Sequence, residues 1–272
     1  MLKNLCLSLS LALGLVATAH AVEKPLWELG IGVAPVSMQD YRGSDQRHAY
    51  VLPLPYVIYR GDVLQIDRQK VRGLLYKSDR VEFDISVNGS VPVKSDKNTA
   101  RQGMPNLDPT VEIGPQLDVL LSRERERELT LKLPVRQVLA VDGSHVHGAG
   151  VIFSPTLNLD LKPGGDWNLG LSGGPIYGSK QYHDYFYTVA QQYATADRPV
   201  YSARAGYSGT QFLATLSKRF PRYWVGAFVR ADSLKGAVFD DSPLVKQNYS
   251  VSAGFGVAWV LGESKTRVTV DE

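Results

Sequence analysis

From residue 22 onward the chain is written almost entirely in period two. Val81, Phe83, Ile85 and Val87 alternate with Glu82, Asp84, Ser86 and Asn88. Val111, Ile113, Leu117, Val119 and Leu121 alternate with Glu112, Gly114, Gln116 and Asp118, and Leu157, Leu159 and Leu161 with Asn158, Asp160 and Lys162. A strand sends successive side chains to opposite faces, so each segment has one apolar and one polar face. Repeated behind an export signal, the pattern predicts an all-β fold: a transmembrane antiparallel barrel with its apolar face toward lipid and its polar face toward a lumen.

The export signal occupies residues 1–21. Lys3 gives the positive start, Leu5 to Val16 the short apolar core, and Ala19-His20-Ala21 an A-x-A-type site that predicts cleavage after Ala21. The apolar run is too short to cross a bilayer as a helix. The single cysteine, Cys6, lies inside that run, so the mature chain has no thiol for a disulfide or a zinc–thiolate site. A formal charge of +3 is too balanced to argue for nucleic acid. No long apolar run follows residue 21, so membrane entry requires a closed barrel, in which every backbone group is paired. The 14 tyrosines and four tryptophans suit interfacial girdles and a soluble sandwich equally well.

Turn chemistry separates twelve strand candidates, at about 26–36, 50–59, 62–68, 70–76, 80–90, 108–121, 126–140, 147–161, 166–180, 207–219, 222–234 and 248–261. An even number suits a single-chain bacterial barrel. With the first strand rising from the periplasm, the outer connections are 37–49, 69, 91–107, 141–146, 181–206 and 235–247. The periplasmic ones are 60–61, 77–79, 122–125, 162–165 and 220–221. All long connections then fall on one side, as in outer-membrane barrels. The expected organisation is a signal peptide (1–21), a barrel (22–261) and a polar C-terminal tail (262–272).

Several strings occur in one order along the chain. They are Tyr41-Arg42-Gly43-Ser44, Leu52-Pro53-Leu54-Pro55 with Tyr59-Arg60-Gly61, Arg101-Gln102-Gly103-Met104, Tyr185-Phe186-Tyr187-Thr188-Val189 and Asp241-Ser242-Pro243-Leu244-Val245. Together they resemble the MipA/OmpV family of Gram-negative outer-membrane proteins. The resemblance implies location in the cell outer membrane, among lipid and lipopolysaccharide. It also implies a non-enzymatic role as a scaffold linking a lytic transglycosylase to a penicillin-binding peptidoglycan synthase. No catalytic residues and no cofactor come with it. Family members tend to close the last strand at an aromatic residue, whereas here Gly262 to Glu272 follow Leu261.

The remaining motifs are weighed on their surroundings. Gly170-Leu171-Ser172-Gly173-Gly174 fits the hydrolase pattern G-x-S-x-G, which has meaning on a strand-to-helix elbow but here falls within a strand. His145-Val146-His147 places two imidazoles on one side without a third ligand nearby in sequence, so no metal is expected. Asp240, Asp241, His145 and His183 share the outer connections, where a rim hydrolase would need them. Tyr177, Tyr182, Tyr185, Tyr187 and Tyr193 anchor or fold the longest loop over the mouth. Toward the lumen point Glu28, Glu82, Asp84, Glu112, Asp118 and Asp160, with Lys132, Arg136 and Arg230 opposite. Such charges must pair or meet water, giving either a polar core or an ion-conducting passage. The run Arg123, Glu124, Arg125, Glu126, Arg127 and Glu128 is a solvated hairpin end or a partner-docking site. The expected function is therefore the scaffold, against a small-solute or ion channel and against a surface adhesin or envelope stress-response protein.

Overall fold

The computed structural model describes residues 21–61, 64–66 and 71–271. Residues 1–20 of the expected signal peptide (1–21), residues 62–63, 67–68 and 70 of two expected strands, the expected outer connection at 69, and Glu272 of the expected tail lie outside them. The strands are β1 (Ala21–Pro25), β2 (Trp27–Gln39), β3 (Arg47–Arg60), β4 (Leu64–Ile66), β5 (Val71–Lys77), β6 (Val81–Ser90), β7 (Thr110–Glu124) and β8 (Arg127–Asp142). They continue as β9 (His145–Phe153), β10 (Thr156–Leu161), β11 (Trp167–Gly178), β12 (Gly206–Arg219), β13 (Tyr223–Ser233), β14 (Tyr249–Glu263) and β15 (Arg267–Asp271). The α-helix α1 (Lys180–Tyr187) lies between β11 and β12. No helix among the described residues is long and apolar enough to cross a membrane.

Strands β2 to β14 form one antiparallel sheet that closes on itself, since β14 pairs with β2 while β10 and β9 both lie between β8 and β11. β9 and β10 are two halves of one stave, so the described residues give the wall the expected twelve. The expected strand 147–161 breaks at Ser154-Pro155, between Phe153 and Thr156. Proline supplies no N–H to the ladder. Across the break the wall is so close that a Cβ on Gly174 would lie 2.0 Å from the Pro155 carbonyl oxygen, which restricts that site to glycine.

The alternation becomes two surfaces. On β14 Phe255, Trp259 and Leu261 are exposed outward, while Ser250, Gly256 and Ala258 are buried inward. The outward stripe continues through Leu29, Ile31, Val33, Phe212 and Val229, all exposed. A contiguous exposed apolar belt is untenable in water and expected in lipid. Tyr249 and Trp259 cap its two ends on β14. Ten residues at about 3.3 Å, tilted by roughly 40°, place them about 25 Å apart along the barrel axis, the height of an outer-membrane apolar band.

The polar tail is partly structured. Gly262 and Glu263 complete β14, and β15 pairs with β1 in a separate two-stranded ribbon, from Ala21 opposite Asp271 to Pro25 opposite Arg267. The Ser264 hydroxyl accepts the Leu26 N–H at 2.9 Å, joining the ribbon to the β14–β2 seam.

Candidate functional site

At the outer end the connections 40–46, 91–109, 179–205 and 234–248 fold into one cap. Its core is Tyr41, Val93, Leu107, Tyr187, Ala203, Leu234, Ala237 and Phe239, extended by Ala100, Val189 and Leu244. Tyr187 and Phe239 stack with ring centroids 3.7 Å apart. Two buried arginines satisfy loop carbonyls that no ladder reaches. Arg101 donates to Phe186 O at 3.0 Å and Pro105 O at 3.2 Å. Arg198 donates to Ala100 O at 2.9 Å, Gln102 O at 3.0 Å and Tyr193 O at 2.7 Å. A guanidinium's five fixed donors suit this pinning of irregular backbone.

Helix α1 docks the cap on the inner wall. The segment His147-Gly148-Ala149-Gly150 shifts the β8–β9 register between Val138 and Leu139, with Gly150 at φ +106°. That is bulge geometry, which favours glycine. A Cβ on Gly150 would lie 2.3 Å from Tyr182 N, so the bulge also admits the helix start. Ser179 caps the helix, its hydroxyl accepting from Tyr182 N at 3.2 Å and Val151 N at 2.9 Å. Tyr182 then packs on Val138, Ala140, Ala149, Ile152 and Ile176, buried residues of β8, β9 and β11. Burial pushes its phenol pKa up to about 12.

His183 is fully buried beside it. A carbonyl can only accept, so Nδ1–H donates to Arg204 O and Nε2 accepts from the Ser208 hydroxyl at 2.6 Å. Burial holds the imidazole below its ordinary pKa, opposed by the Arg204 carbonyl, with Arg42 lowering it further and Asp184 raising it. An opened cap therefore binds a proton that the closed cap refuses. Cap stability is complete above about pH 6.5 and falls on acidification from there to the depressed pKa, at no more than about 1.4 kcal/mol per pH unit. Hydrogen exchange in 180–205, corrected for intrinsic rates, should be faster at pH 5.5 than at pH 7.5. Equal protection would show that His183 does not gate the cap.

The charges expected to face the lumen fall into three groups, with Asp160 apart from them on β10. At the periplasmic end Glu28 meets Arg60 at 2.7 Å and Arg219 at 2.9 Å, and the Tyr56 hydroxyl donates to it at 3.1 Å. On β6–β8 the Asp118 carboxylate accepts from Gln116 at 2.7 Å and lies in register with Lys132. There Glu112 pairs with Arg136 at 3.5 Å, and Arg136 donates to the Ser86 hydroxyl at 3.0 Å. Glu82 and Asp84 flank this group on β6, with Asp84 buried. Near the cap Asp232 accepts from Arg230 and Arg42, each at 3.0 Å. Asp160 accepts from Asn158 at 2.5 Å on β10. Sequence parity missed Arg42, Arg60 and Arg219 as partners.

On the periplasmic side the 123–128 run is more strand than turn: Glu124 ends β7, Arg127 begins β8, and only Arg125 and Glu126 turn. Arg123 pairs with Glu128 at 2.8 Å and Arg127 with Glu124 at 2.5 Å. Lys162 N donates to Glu126 O at 2.8 Å, joining this hairpin to its neighbour around a shallow groove lined by Glu124 to Arg127 and Leu161 to Pro163.

The other motifs disperse. Ser172 lies within β11, in register with Asn158, and no elbow surrounds it. His145, expected on the outer connection 141–146, stands exposed in β9 with His147, because the β8–β9 turn is only Gly143-Ser144. Asp241 accepts from Tyr201, and Asp240 from Gly236 N, so neither shares His183's partners. Tyr182 and Tyr187 are buried in the cap, Tyr185 and Tyr193 pack at its margins, and Tyr177 faces outward, stacked near Phe153.

Residues 31–261 match the family model described as MltA-interacting protein MipA. No curated protein sequence matches the chain significantly. Among solved structures, the NanC porin is 8% identical, covering 85% of this chain and 100% of its own, with a TM-score of 0.41. The COG4313 outer membrane channel from Pseudomonas putida F1 is 10% identical, covering 85% and 95%, with a TM-score of 0.44. Outer membrane phospholipase A from Escherichia coli is 11% identical, covering 85% and 92%, with a TM-score of 0.35.

Proposed function

Because the chain belongs to the MltA-interacting protein MipA family and is an outer-membrane barrel, we propose that it is a non-enzymatic anchor for cell-wall enzymes at the periplasmic face. Its partners are a lytic transglycosylase and a penicillin-binding peptidoglycan synthase. The observation that carries this reading is the asymmetry of the two ends. Packed loops occupy the outer mouth, while the periplasmic end presents joined turns and the β1–β15 ribbon. The four charges paired inside the 123–128 hairpin leave Arg125 and Glu126 at its exposed tip. Docking then rests on the shape of joined turns and on the ribbon's strand edges, which suit strand addition by a partner segment.

Affinity capture after cross-linking in intact Gram-negative cells tests it. The expected result is recovery of a transglycosylase or synthase with the native protein. Recovery should be lost when charges across 123–128 are reversed and residues 265–272 are deleted. Ser264 is kept because it closes the seam. Unchanged recovery from the doubly altered protein would reject these docking surfaces. A channel reading draws support from the inward charges alone and is opposed by the cap.

A further inference from the structure

Strand β12 carries a charge on its lipid face. Phe212 and Leu216 are exposed there, and the same parity turns Lys218 outward, two residues beyond Leu216. Lys218 is in register with Trp167 of β11 and with Val225 of β13. The next outward pair along β13 and β14 is Tyr223 opposite Trp259, where the apolar belt ends. A lysine on such a face ordinarily extends its ammonium to water. Here the ammonium lies over two rings, 5.6 Å from the Trp167 centroid and 5.0 Å from that of Phe220. Phe220 in turn stacks on Tyr223, with centroids 4.5 Å apart. A Cβ on Gly165 would lie 3.9 Å from Lys218 Nζ, so glycine there leaves the cation uncovered on that side.

Ring faces hold a cation in place without neutralising it. Among the described residues no carboxylate pairs with Lys218 or with Arg222. Arg222 is exposed at the tip of the turn that Phe220 N closes by donating to Tyr223 O at 2.8 Å. By contrast, Arg60 and Arg219 share Glu28, Arg123 meets Glu128 and Arg127 meets Glu124. An unmatched charge at the edge of hydrocarbon is costly, and a lipid phosphate removes that cost. Two neighbouring cations attract an anionic headgroup and repel the ammonium of a zwitterionic one. Leu171, Leu216 and Phe212, all exposed on the same strands, give the acyl chains an apolar surface to lie on.

We propose that the periplasmic rim of β11, β12 and β13 is a binding site for one anionic phospholipid of the leaflet on the side away from the cap, its phosphate held by Lys218 and Arg222. Trp167 and Phe220 set the position of the Lys218 ammonium, and Tyr223 backs Phe220. The site faces lipid, so it is independent of the proposed periplasmic role, and its failure would leave that role untouched.

The test is native mass spectrometry of the protein purified from outer membranes and released from mixed micelles of dioleoyl phosphatidylglycerol and dioleoyl phosphatidylcholine in equal amounts. The expected result is an adduct of one phosphatidylglycerol in clear excess over phosphatidylcholine. K218Q and R222Q should each reduce that excess about fivefold, the effect of one cation near a membrane surface. K218R should keep most of it. K235Q removes the same charge from the outer connection 234–248, where Lys235 is exposed, and should leave the excess unchanged. No excess in the unaltered protein, or an undiminished one in both K218Q and R222Q, would overturn the site. An equal fall in K235Q would also overturn it, since net charge rather than this rim would then set the preference. Displacement of the adduct by millimolar inorganic phosphate would assign the cations to a free anion and reject the lipid. Should K218Q fail to fold, R222Q at its exposed turn carries the same test.

Discussion

Planar bilayers holding the intact protein should stay electrically silent, and bilayers holding a variant with residues 179–205 replaced by a short Gly/Ser turn should show discrete conductance steps. The replacement is feasible because Gly178 and Gly206 are register partners, so a hairpin can join them without moving the wall. It removes α1, Tyr187 and Ala203, and with them the stack on Phe239 and the core over the mouth. The remaining outer connections lose their shared core and the carbonyl contacts of Arg198, so they no longer hold one conformation. Beneath them the β10–β12 sector is lined by small side chains, Gly170, Ser172, Thr215 and Ser217, which leave room for water. Twelve strands lie between side-chain-filled barrels and open porins, so the plug decides. An intact protein that conducts as well as the variant would show that the cap is no seal. A silent variant would move the barrier to the paired charges of β6–β8.

The wall was legible and the cap was not. Period two gives each strand its faces, and turn residues give its ends, so twelve staves and the sorting of long loops to one side could be read directly. Pro155 was visible in the sequence, but a break within one stave has the same pattern as continuity. Val268 and Val270 alternate with Arg267 and Thr269, a strand signal that the polar composition of 262–272 obscured. Parity shows that Glu28 points inward, but its partners come from the register across the barrel. Arg60 is 32 residues away and Arg219 is 191, and no local pattern carries that distance. The cap assembles four connections through contacts of the same kind, such as Tyr187 with Arg42 O across 145 residues.

Replacing Glu28 by leucine should destabilise the barrel more than any other single lumen change, by about 2–4 kcal/mol, below the usual 3–5 for breaking a buried pair because both arginines keep some solvent. The Glu28 side chain is 6% exposed, and those of Arg60 and Arg219 are 19% and 23% exposed. Its two oxygens accept from Arg60 at 2.7 Å and from Arg219 at 2.9 and 3.1 Å. β12, which carries Arg219, is separated from β2 by β13 and β14 in the wall, so this contact braces the barrel across its interior rather than along the ladder. Without the carboxylate the two guanidiniums keep, among the described residues, Tyr56 Oη and Pro25 O as acceptors. Arg219→Met alone should cost less, because Glu28 then keeps Arg60, and the triple change to leucine at 28 and methionine at 60 and 219 should recover much of the loss by removing every uncompensated charge. Urea midpoints of the folded band in unheated gels read the series. If the three single losses simply sum in the triple variant, the residues act separately and the brace is wrong.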